Sequence, residues 1–193
     1  FIIVQYKDGD KNKTANNAIK PQLKLINEAD YGVALNRLSV RYWFTVEDFA
    51  PLNFYVDYAR LGTSDVKGSF VALDDARDGA NYYLEINFET NNVIEALGNS
   101  GEIKTRIAKS DWTDFDETND HSYSNFNQYV ETDKITVYWD GELIWGEEPE
   151  ISDEQNPEII VLYKNKDGVS NNSIKPNLSI INTGNQPVGL EDI

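Results

Sequence analysis

The residue that most strongly suggests ligand binding is Trp112, in the acidic run KSDWTDFDETNDHS at 109–122. Its neighbours are Asp111 and Thr113, and the first apolar side chain after it is Phe115. A core tryptophan normally lies on a periodic apolar face, and this one does not. A flat ring displayed to solvent can bury apolar area against a ligand. Two interpretations stay open: the segment folds back to bury Trp112, or the indole is displayed for binding.

The same acidic run has the side chains to hold a cation. Calcium takes six to eight oxygens from carboxylates, amides and backbone carbonyls, and DETND at 116–120 is rich in them. Thr45 and Glu47 offer further oxygens in a second polar turn. A solvated acidic loop is the alternative interpretation of these residues.

Composition excludes several kinds of partner and chemistry. The chain has 193 residues, of which 33 are acidic and 17 basic, for a formal net charge of −16. This charge argues against nucleic acid and anionic membranes as partners and favours a neutral ligand or a cation. The absence of cysteine excludes a disulfide, a thiolate zinc site and a cysteine nucleophile. The single histidine, His121, excludes a histidine-cluster metal site.

The sequence contains no recognisable catalytic motif. A glycosidase needs two carboxylates with separate acid and base roles, and the many carboxylates here stand in no such arrangement. We therefore predict a protein that is not an enzyme. No apolar run reaches membrane-spanning length and no signal peptide is present, so composition leaves the compartment open.

Apolar residues alternate with a period of two, which predicts β-strands. VRYWF at 40–44 and YYLEINF at 82–88 each have one apolar face. KITVYWDGELIW at 134–145 predicts two strands joined at Asp140-Gly141, with Trp139 and Trp145 in the core. Further strands are predicted near 2–7, 20–27, 53–60, 66–73 and 102–108. Without a convincing long helix, this pattern predicts an all-β fold, an antiparallel β-sandwich.

An internal repeat divides the chain. VQYKDGDKNKTANNAIKPQLKLIN at 4–27 returns as VLYKNKDGVSNNSIKPNLSIIN at 161–182, two residues shorter. We predict a module over 1–149, an acidic proline-containing linker over 150–158, and the truncated N-terminal part of a second, similar module over 159–193. Because so short a piece cannot bury a core by itself, we expect the tail to be disordered or docked as strands on a neighbouring copy.

Several ordered motifs over residues 2–149 resemble one protein family, the family 3 carbohydrate-binding modules of bacterial cellulases and cellulosomal scaffolds. The motifs are IKPQLKLIN, RYWFT, the Asp57-Tyr58-Ala59 segment, VKGSFVAL, YLEINF, RIAKSDWTDF, NDHSYS and LIWGEEP. The resemblance implies a jelly roll of about nine strands, a flat strip of residues that binds cellulose, and a structural calcium ion.

The resemblance also implies the roles of particular residues. Those matching the cellulose-binding strip are Trp112, Arg106, Asp57 and Tyr58, and those matching its polar anchors are Asn17, Lys104 and Asn127. Lys104 stands where the best-known members have glutamine. A further strip tyrosine that some members carry has no counterpart, because ARLGTSDVKG leads straight into the next strand.

Two further sites follow from the same resemblance. A shallow groove on the opposite sheet matches Arg41, Trp43, Tyr83 and Glu85, for which cross-strand pairs on a solvated sheet are the alternative interpretation. The calcium ligands match Thr45, Glu47, Asp116, Asn119 and Asp120, with Glu47 replacing the usual aspartate and Asp116 the usual threonine.

We therefore expect a secreted bacterial protein that binds cellulose or a related β-glucan without catalysis and targets an attached enzyme, scaffold or sensor to the plant cell wall. The alternative is a structural or protein-interaction module with weakened cellulose affinity. Such a module would modulate its parent enzyme, or bind linker peptides or single glycan chains in its groove.

Overall fold

Sixteen short strands make up most of the regular structure in the computed structural model, which describes residues 2–47, 50–151, 159–165, 175–182 and 188–189. In chain order they are β1 (Ile2–Asp8), β2 (Ala15–Asn16), β3 (Pro21–Asn27), β4 (Val33–Ala34), β5 (Leu38–Phe44), β6 (Leu52–Ala59), β7 (Val66–Arg77), β8 (Ala80–Phe88), β9 (Val93–Ile94), β10 (Ile103–Lys109), β11 (Phe115–Asp116), β12 (Val130–Glu131), β13 (Ile135–Trp139), β14 (Glu142–Trp145), β15 (Ile159–Asn165) and β16 (Pro176–Asn182). Three single 3₁₀ turns occur at Leu35–Arg37, Thr63–Asp65 and Glu117–Asn119. No helix within the described residues is long and apolar enough to cross a membrane.

Two five-stranded antiparallel sheets form the sandwich. The first sheet has the order β12-β1-β3-β10-β6, and the second has the order β14-β13-β5-β8-β7. Side chains at alternate positions of both sheets meet between them and are almost fully buried, among them Val4, Leu25, Val40, Leu84 and Ile86. The predicted antiparallel β-sandwich is therefore confirmed.

The hairpin predicted at Asp140-Gly141 joins β13 to β14. Asp140 and Gly141 both have positive φ, 49° and 85°, as expected of a tight turn whose twist matches the flanking strands. Trp139 and Trp145 pack against the core but keep part of their surface exposed, so they form its margin rather than its centre.

The chain divides into two units, Phe1–Ile151 and Ser152–Ile193. The first unit extends two residues past the predicted boundary at 149, because Ile151 pairs with Arg77 and the amide of Asp78 donates to the carbonyl of Glu150. Residues 152–158 of the predicted linker lie outside the described residues, as do 166–174, 183–187 and 190–193 of the predicted second module.

The second unit contains a hairpin with the same register as the first hairpin of the sandwich. Val4 lies opposite Leu25 in β1–β3, and Val161 lies opposite Ile180 in β15–β16. Val4 and Leu25 are fully buried, whereas Val161 and Ile180 are 57% and 48% exposed. The repeat in the sequence is thus also a repeat in strand pairing.

Candidate functional site

The outer face of the first sheet carries the predicted strip, where edge strand β6 pairs with β10. The register shifts between Lys104 and Thr105: Lys104 lies opposite Tyr58, and Thr105 opposite Val56. Asp57 is therefore the extra residue of a β-bulge. Because the bulge interrupts the alternation, Asp57 and Tyr58 both face solvent, while Val56 packs against the core.

Arg106 and Asp57 form an ion pair on this face. Nη2 and Nε of the guanidinium donate to Oδ1 and Oδ2 of the carboxylate at 3.2 and 3.4 Å. The two contacts bring the charges together side by side, so the pair presents an extended polar group with no net charge. The guanidinium carbon also lies 4.5 Å from the ring centre of Tyr55, the cross-strand partner of Arg106.

Tyr55 is a further exposed aromatic residue on this face, and the sequence analysis did not single it out. It is 36% exposed and shares a face of β6 with Asp57. Its position could have predicted this, because residues two apart in a strand point to the same side of a sheet and Tyr55 lies two residues before Asp57.

Trp112 lies in the loop that follows β10, and its side chain is 51% exposed. In the structure, therefore, the indole is displayed to solvent, and the loop does not fold back to bury it. Its backbone has a φ of 61°, a left-handed conformation that is strained for a bulky residue. The loop holds that conformation through two bonds, from the Trp112 amide to the Lys109 carbonyl at 3.1 Å and from the Thr113 amide to Asp111 Oδ1 at 3.1 Å.

The remaining predicted strip and anchor residues lie at several places on and beside this sheet. Tyr58 is 46% exposed, with the ammonium of Lys104 lying 5.5 Å from its ring centre. Lys104 also pairs with Glu102 at 3.0 Å. Asn17 and Asn127 are both exposed. Asn17 follows β2, which pairs with β11 just beyond the Trp112 loop, and Asn127 precedes β12 at the opposite edge of the sheet.

The predicted groove on the second sheet centres on Arg41. Its guanidinium carbon lies 4.5 Å from the ring centre of Tyr83 and 4.1 Å from that of Tyr138, and its Nε donates to Glu85 at 3.0 Å. Trp43, by contrast, is only 1% exposed, and its Nε1 donates to Thr136 Oγ1 at 3.0 Å. Placing Trp43 on an open groove was therefore wrong.

Trp43 is buried because charged side chains from other parts of the chain lie over it, and the sequence analysis did not predict them at the groove. Arg77 lies over its indole at 5.5 Å and donates to Glu148 at 2.7 Å. Tyr138 also donates to Glu148, and Arg41 approaches the same carboxylate at 3.8 Å. Partial burial would raise the pKa of Glu148, but the hydrogen bonds from Tyr138 and Arg77 outweigh it and lower the pKa. The chain's own GEEP segment thus occupies one end of the groove.

Three of the predicted calcium ligands come together. The amide of Thr45 donates to Asp120 Oδ1 at 2.7 Å, and its hydroxyl lies 2.8 Å from the same oxygen and 2.9 Å from Asn119 Oδ1. The other oxygen of Asp120, Oδ2, is buried and has no hydrogen-bond partner within the described part of the chain. Burial raises the pKa of Asp120 to about 7. A bound cation would relieve both the missing partner and the buried negative charge.

The other two predicted ligands bind protein groups. Glu47 accepts from the Lys109 ammonium through Oε2 at 3.1 Å and from the Asp116 amide through Oε1 at 3.0 Å. The carboxylate of Asp116 accepts from the amide and hydroxyl of Thr118, which lower its pKa. Across the described ranges, no three acidic or histidine side chains are arranged to hold a metal ion. Within the predicted set, Glu47 is therefore the residue whose carboxylate is already paired with a lysine, while the bonds of the Asp116 side chain leave its predicted role, which is that of a backbone carbonyl, unaffected.

A β-sandwich that displays tyrosine rings and a charge-neutral ion pair on one sheet, with an exposed indole in the loop that follows β10, has the architecture of a carbohydrate-binding module. A family model described as "cellulose binding domain" matches residues 3–146, and the chain belongs to that family.

Relatives and solved structures agree with this assignment. Endoglucanase A of Paenibacillus lautus is 39% identical over 150 residues, which are 77% of this chain and 21% of that protein. Exoglucanase-2 of Thermoclostridium stercorarium is 40% identical over 135 residues, 69% of this chain and 15% of that protein. A CBM3b structure from the major scaffoldin subunit ScaA of Acetivibrio cellulolyticus is 32% identical, with a TM-score of 0.73, and the match covers 77% of this chain and 97% of that one. The chain thus spans about a fifth or less of these curated relatives' length.

Proposed function

We propose that this cellulose-binding module contacts cellulose through the strip formed by Trp112, Arg106, Asp57, Tyr58 and Tyr55. The observation that carries the proposal is the displayed indole of Trp112, held in a strained conformation beside a sheet whose outer face bears the neutral ion pair. A protein gains nothing in stability from exposing its largest apolar side chain on a strained backbone, so a binding role accounts for the arrangement.

Such a strip suits a neutral polymer. One ring that removes about 100 Å² of apolar surface from water contributes on the order of 2.5 kcal/mol, too little to overcome the cost of association. Several contacts are therefore needed, and rings held on paired strands supply them without further ordering. Because Asp57 neutralises Arg106, the strip itself presents little net charge although the whole chain carries −16. Asn17, Lys104 and Asn127 act as polar anchors that hydrogen-bond sugar hydroxyls beside the strip.

The binding is non-catalytic and serves attached domains outside the cell. Each matched enzyme is much longer than the shared region, as expected of a module appended to a catalytic domain. The alternative of a mainly structural role is not favoured by the family assignment, and the GEEP segment already occupies part of the groove. Arg41, Tyr83 and Glu85 remain candidate contacts for a peptide or single glycan chain at its open part.

Calcium is the proposed structural ion. Thr45, Asn119 and Asp120 gather oxygens at one point, and the unpartnered Oδ2 of Asp120 fits a cation ligand. Backbone carbonyls at Thr45 and Asp116 are the remaining proposed ligands. Glu47, whose two oxygens already accept from protein donors, is the weakest member of the set.

The second unit is proposed to be the start of another module of the same kind. The identical register of β1–β3 and β15–β16 supports this, as do the exposed apolar residues at positions that are buried in the first hairpin. Docking of those exposed strands on a neighbouring copy is the proposed way in which their apolar surface is covered.

Sedimentation of the protein with microcrystalline cellulose tests the main proposal. Wild type should be retained, and Trp112→Ala should lower its partition coefficient by at least about tenfold. Tyr31→Ala is the matched control, because Tyr31 is 61% exposed but lies between β3 and β4, outside the strip. No retention of the wild type, or equal loss from both variants, would refute the proposed strip.

A further inference from the structure

Lys109, the last residue of β10, is a buried cation that the strip described above does not use. Its side chain is only 1% exposed. Burying an ammonium costs free energy unless charged or polar partners replace the lost water. The groups that replace it here belong to the Trp112 loop and to the turn that contains Glu47.

Lys109 holds the Trp112 loop from both sides. Its backbone carbonyl accepts from the Trp112 amide at 3.1 Å, and its ammonium donates to the carbonyl of Asp114 at 2.7 Å. The ammonium also lies 4.6 Å from the ring centre of Phe115, which is buried in the core. The same residue therefore fixes the chain just before and just after the indole.

Glu47 supplies the opposite charge. Its Oε2 lies 3.1 Å from the Lys109 ammonium, and its Oε1 accepts from the Asp116 amide at the far end of the loop. Glu47 thus ties the turn after β5 to both ends of the segment that displays Trp112. A carboxylate used in this way neutralises the buried lysine, which explains how that lysine is tolerated.

We propose that the Lys109–Glu47 pair is the internal clamp that positions Trp112 for cellulose. Both residues are positioning residues, since neither belongs to the proposed strip. The proposal rests on the proposed function for its effect on binding, but its effect on the loop is independent of cellulose.

The test compares full-length wild type with Lys109→Met, Lys109→Arg and the matched control Lys134→Met, which removes an exposed lysine. Each protein is labelled with fluorotryptophan, and the Trp112 resonance is assigned with Trp112→Phe. We expect Lys109→Met to shift or split the Trp112 resonance and to weaken the cellulose partition coefficient about tenfold, the usual effect of losing a charged hydrogen bond. Lys109→Arg should change the Trp112 resonance and the partition coefficient less than Lys109→Met does, because arginine can still donate to Glu47 and Asp114.

An unchanged Trp112 resonance in folded Lys109→Met would overturn the proposal, as would equal changes in Lys134→Met. If Lys109→Met does not unfold cooperatively, the proposal is tested with Glu47→Gln instead. This variant should fold, because Glu47 is 37% exposed and glutamine has nearly the same volume. A displaced Trp112 resonance in that variant supports the clamp, and a native one refutes it. If wild type does not bind cellulose, the proposed function falls, while the resonance still decides whether Lys109 positions Trp112.

Discussion

Tyr55 and Arg106 face each other across β6 and β10, with the guanidinium carbon 4.5 Å from the centre of the phenol ring. The ring supports the guanidinium from one side while Asp57 binds it through two hydrogen bonds. The orientation of the ion pair therefore depends on Tyr55 as well as on the two groups that form the pair.

Replacing Tyr55 tests that dependence. Tyr55→Leu should weaken binding to microcrystalline cellulose about two- to fivefold, the effect expected from losing an exposed cation–π contact. Tyr55→Phe keeps the ring and should bind like wild type. In an Arg106→Ala background, Tyr55→Leu should have a smaller effect, and fully additive losses would contradict a supporting role.

Trp43 should matter for stability and not for binding. Trp43→Ala removes a buried indole and its hydrogen bond to Thr136, so we expect a loss of about 3 kcal/mol or more in the free energy of unfolding in urea. Trp112→Ala is the same substitution at an exposed position and should cost much less. A Trp43→Ala protein that is as stable as wild type would show that the indole is not part of the packed structure.

Calcium should raise the melting temperature of the wild type, because a ligand that binds only the folded state stabilises it. Asp120→Asn removes the carboxylate whose Oδ2 is the proposed ligand, so its melting temperature should be the same in calcium and in chelator. Asp30→Asn, at an exposed site, should keep the wild-type response. Identical melting curves of the wild type in both conditions would argue for a solvated loop without a bound ion.

Glu117 should make stability depend on pH. Burial, followed by the charges of Asp10, Asp120 and Asp8, raises its pKa from an ordinary 4.5 to about 9. The folded state therefore keeps the proton more tightly than the unfolded state. The contribution of Glu117 to stability is greatest below about pH 4.5 and is lost as the pH rises towards about 9.

Glu117→Gln should remove this dependence. The unfolding free energy of the variant relative to wild type, measured by denaturant titration in chelator, should increase steadily between about pH 5 and about pH 9. Glu142→Gln, which replaces an exposed glutamate, serves as the control. A difference that stays constant over this range would mean that Glu117 titrates normally.

Removing residues 152–193 should leave the first unit intact. The sandwich core is built from residues of Phe1–Ile151 alone, so a 1–151 protein should match the full chain in cellulose retention and in the melting temperature of its main transition. If exposed Val161, Tyr163, Leu178 and Ile180 dock on a neighbouring copy, the full chain should also associate with rising concentration in sedimentation velocity. A full chain that remains monomeric throughout would contradict docking between copies.

The fold could be predicted from the sequence because its signals are local. Alternation in VRYWF placed Val40, Tyr42 and Phe44 inward, and all three are buried. The Asp140-Gly141 pair marked a hairpin, and the repeat at 161–182 marked a second strand pair of the same register. The isolated tryptophan in a polar run left a buried and a displayed ring both open, and the structure has the displayed one.

The groups that cover the outward face of each strand could not be predicted from the local sequence. Tyr58 faces solvent because a bulge at Asp57 changes the alternation of β6, which depends on its pairing with β10. Trp43 stands on the outer side of β5, as its position indicates, but Arg77 covers it and is itself bound by Glu148 from a distant part of the chain. Glu47 pairs with Lys109, which is far from it in sequence.

The sequence by itself therefore determined which residues form strands, which side of each strand is apolar, and that Trp112 has no apolar neighbours to pack with. Only the tertiary structure decided which outward residues stay open to a ligand and which acids are neutralised. The physical reason is that side-chain periodicity depends on a single strand, whereas burial and charge pairing depend on the groups that other strands and loops bring against it.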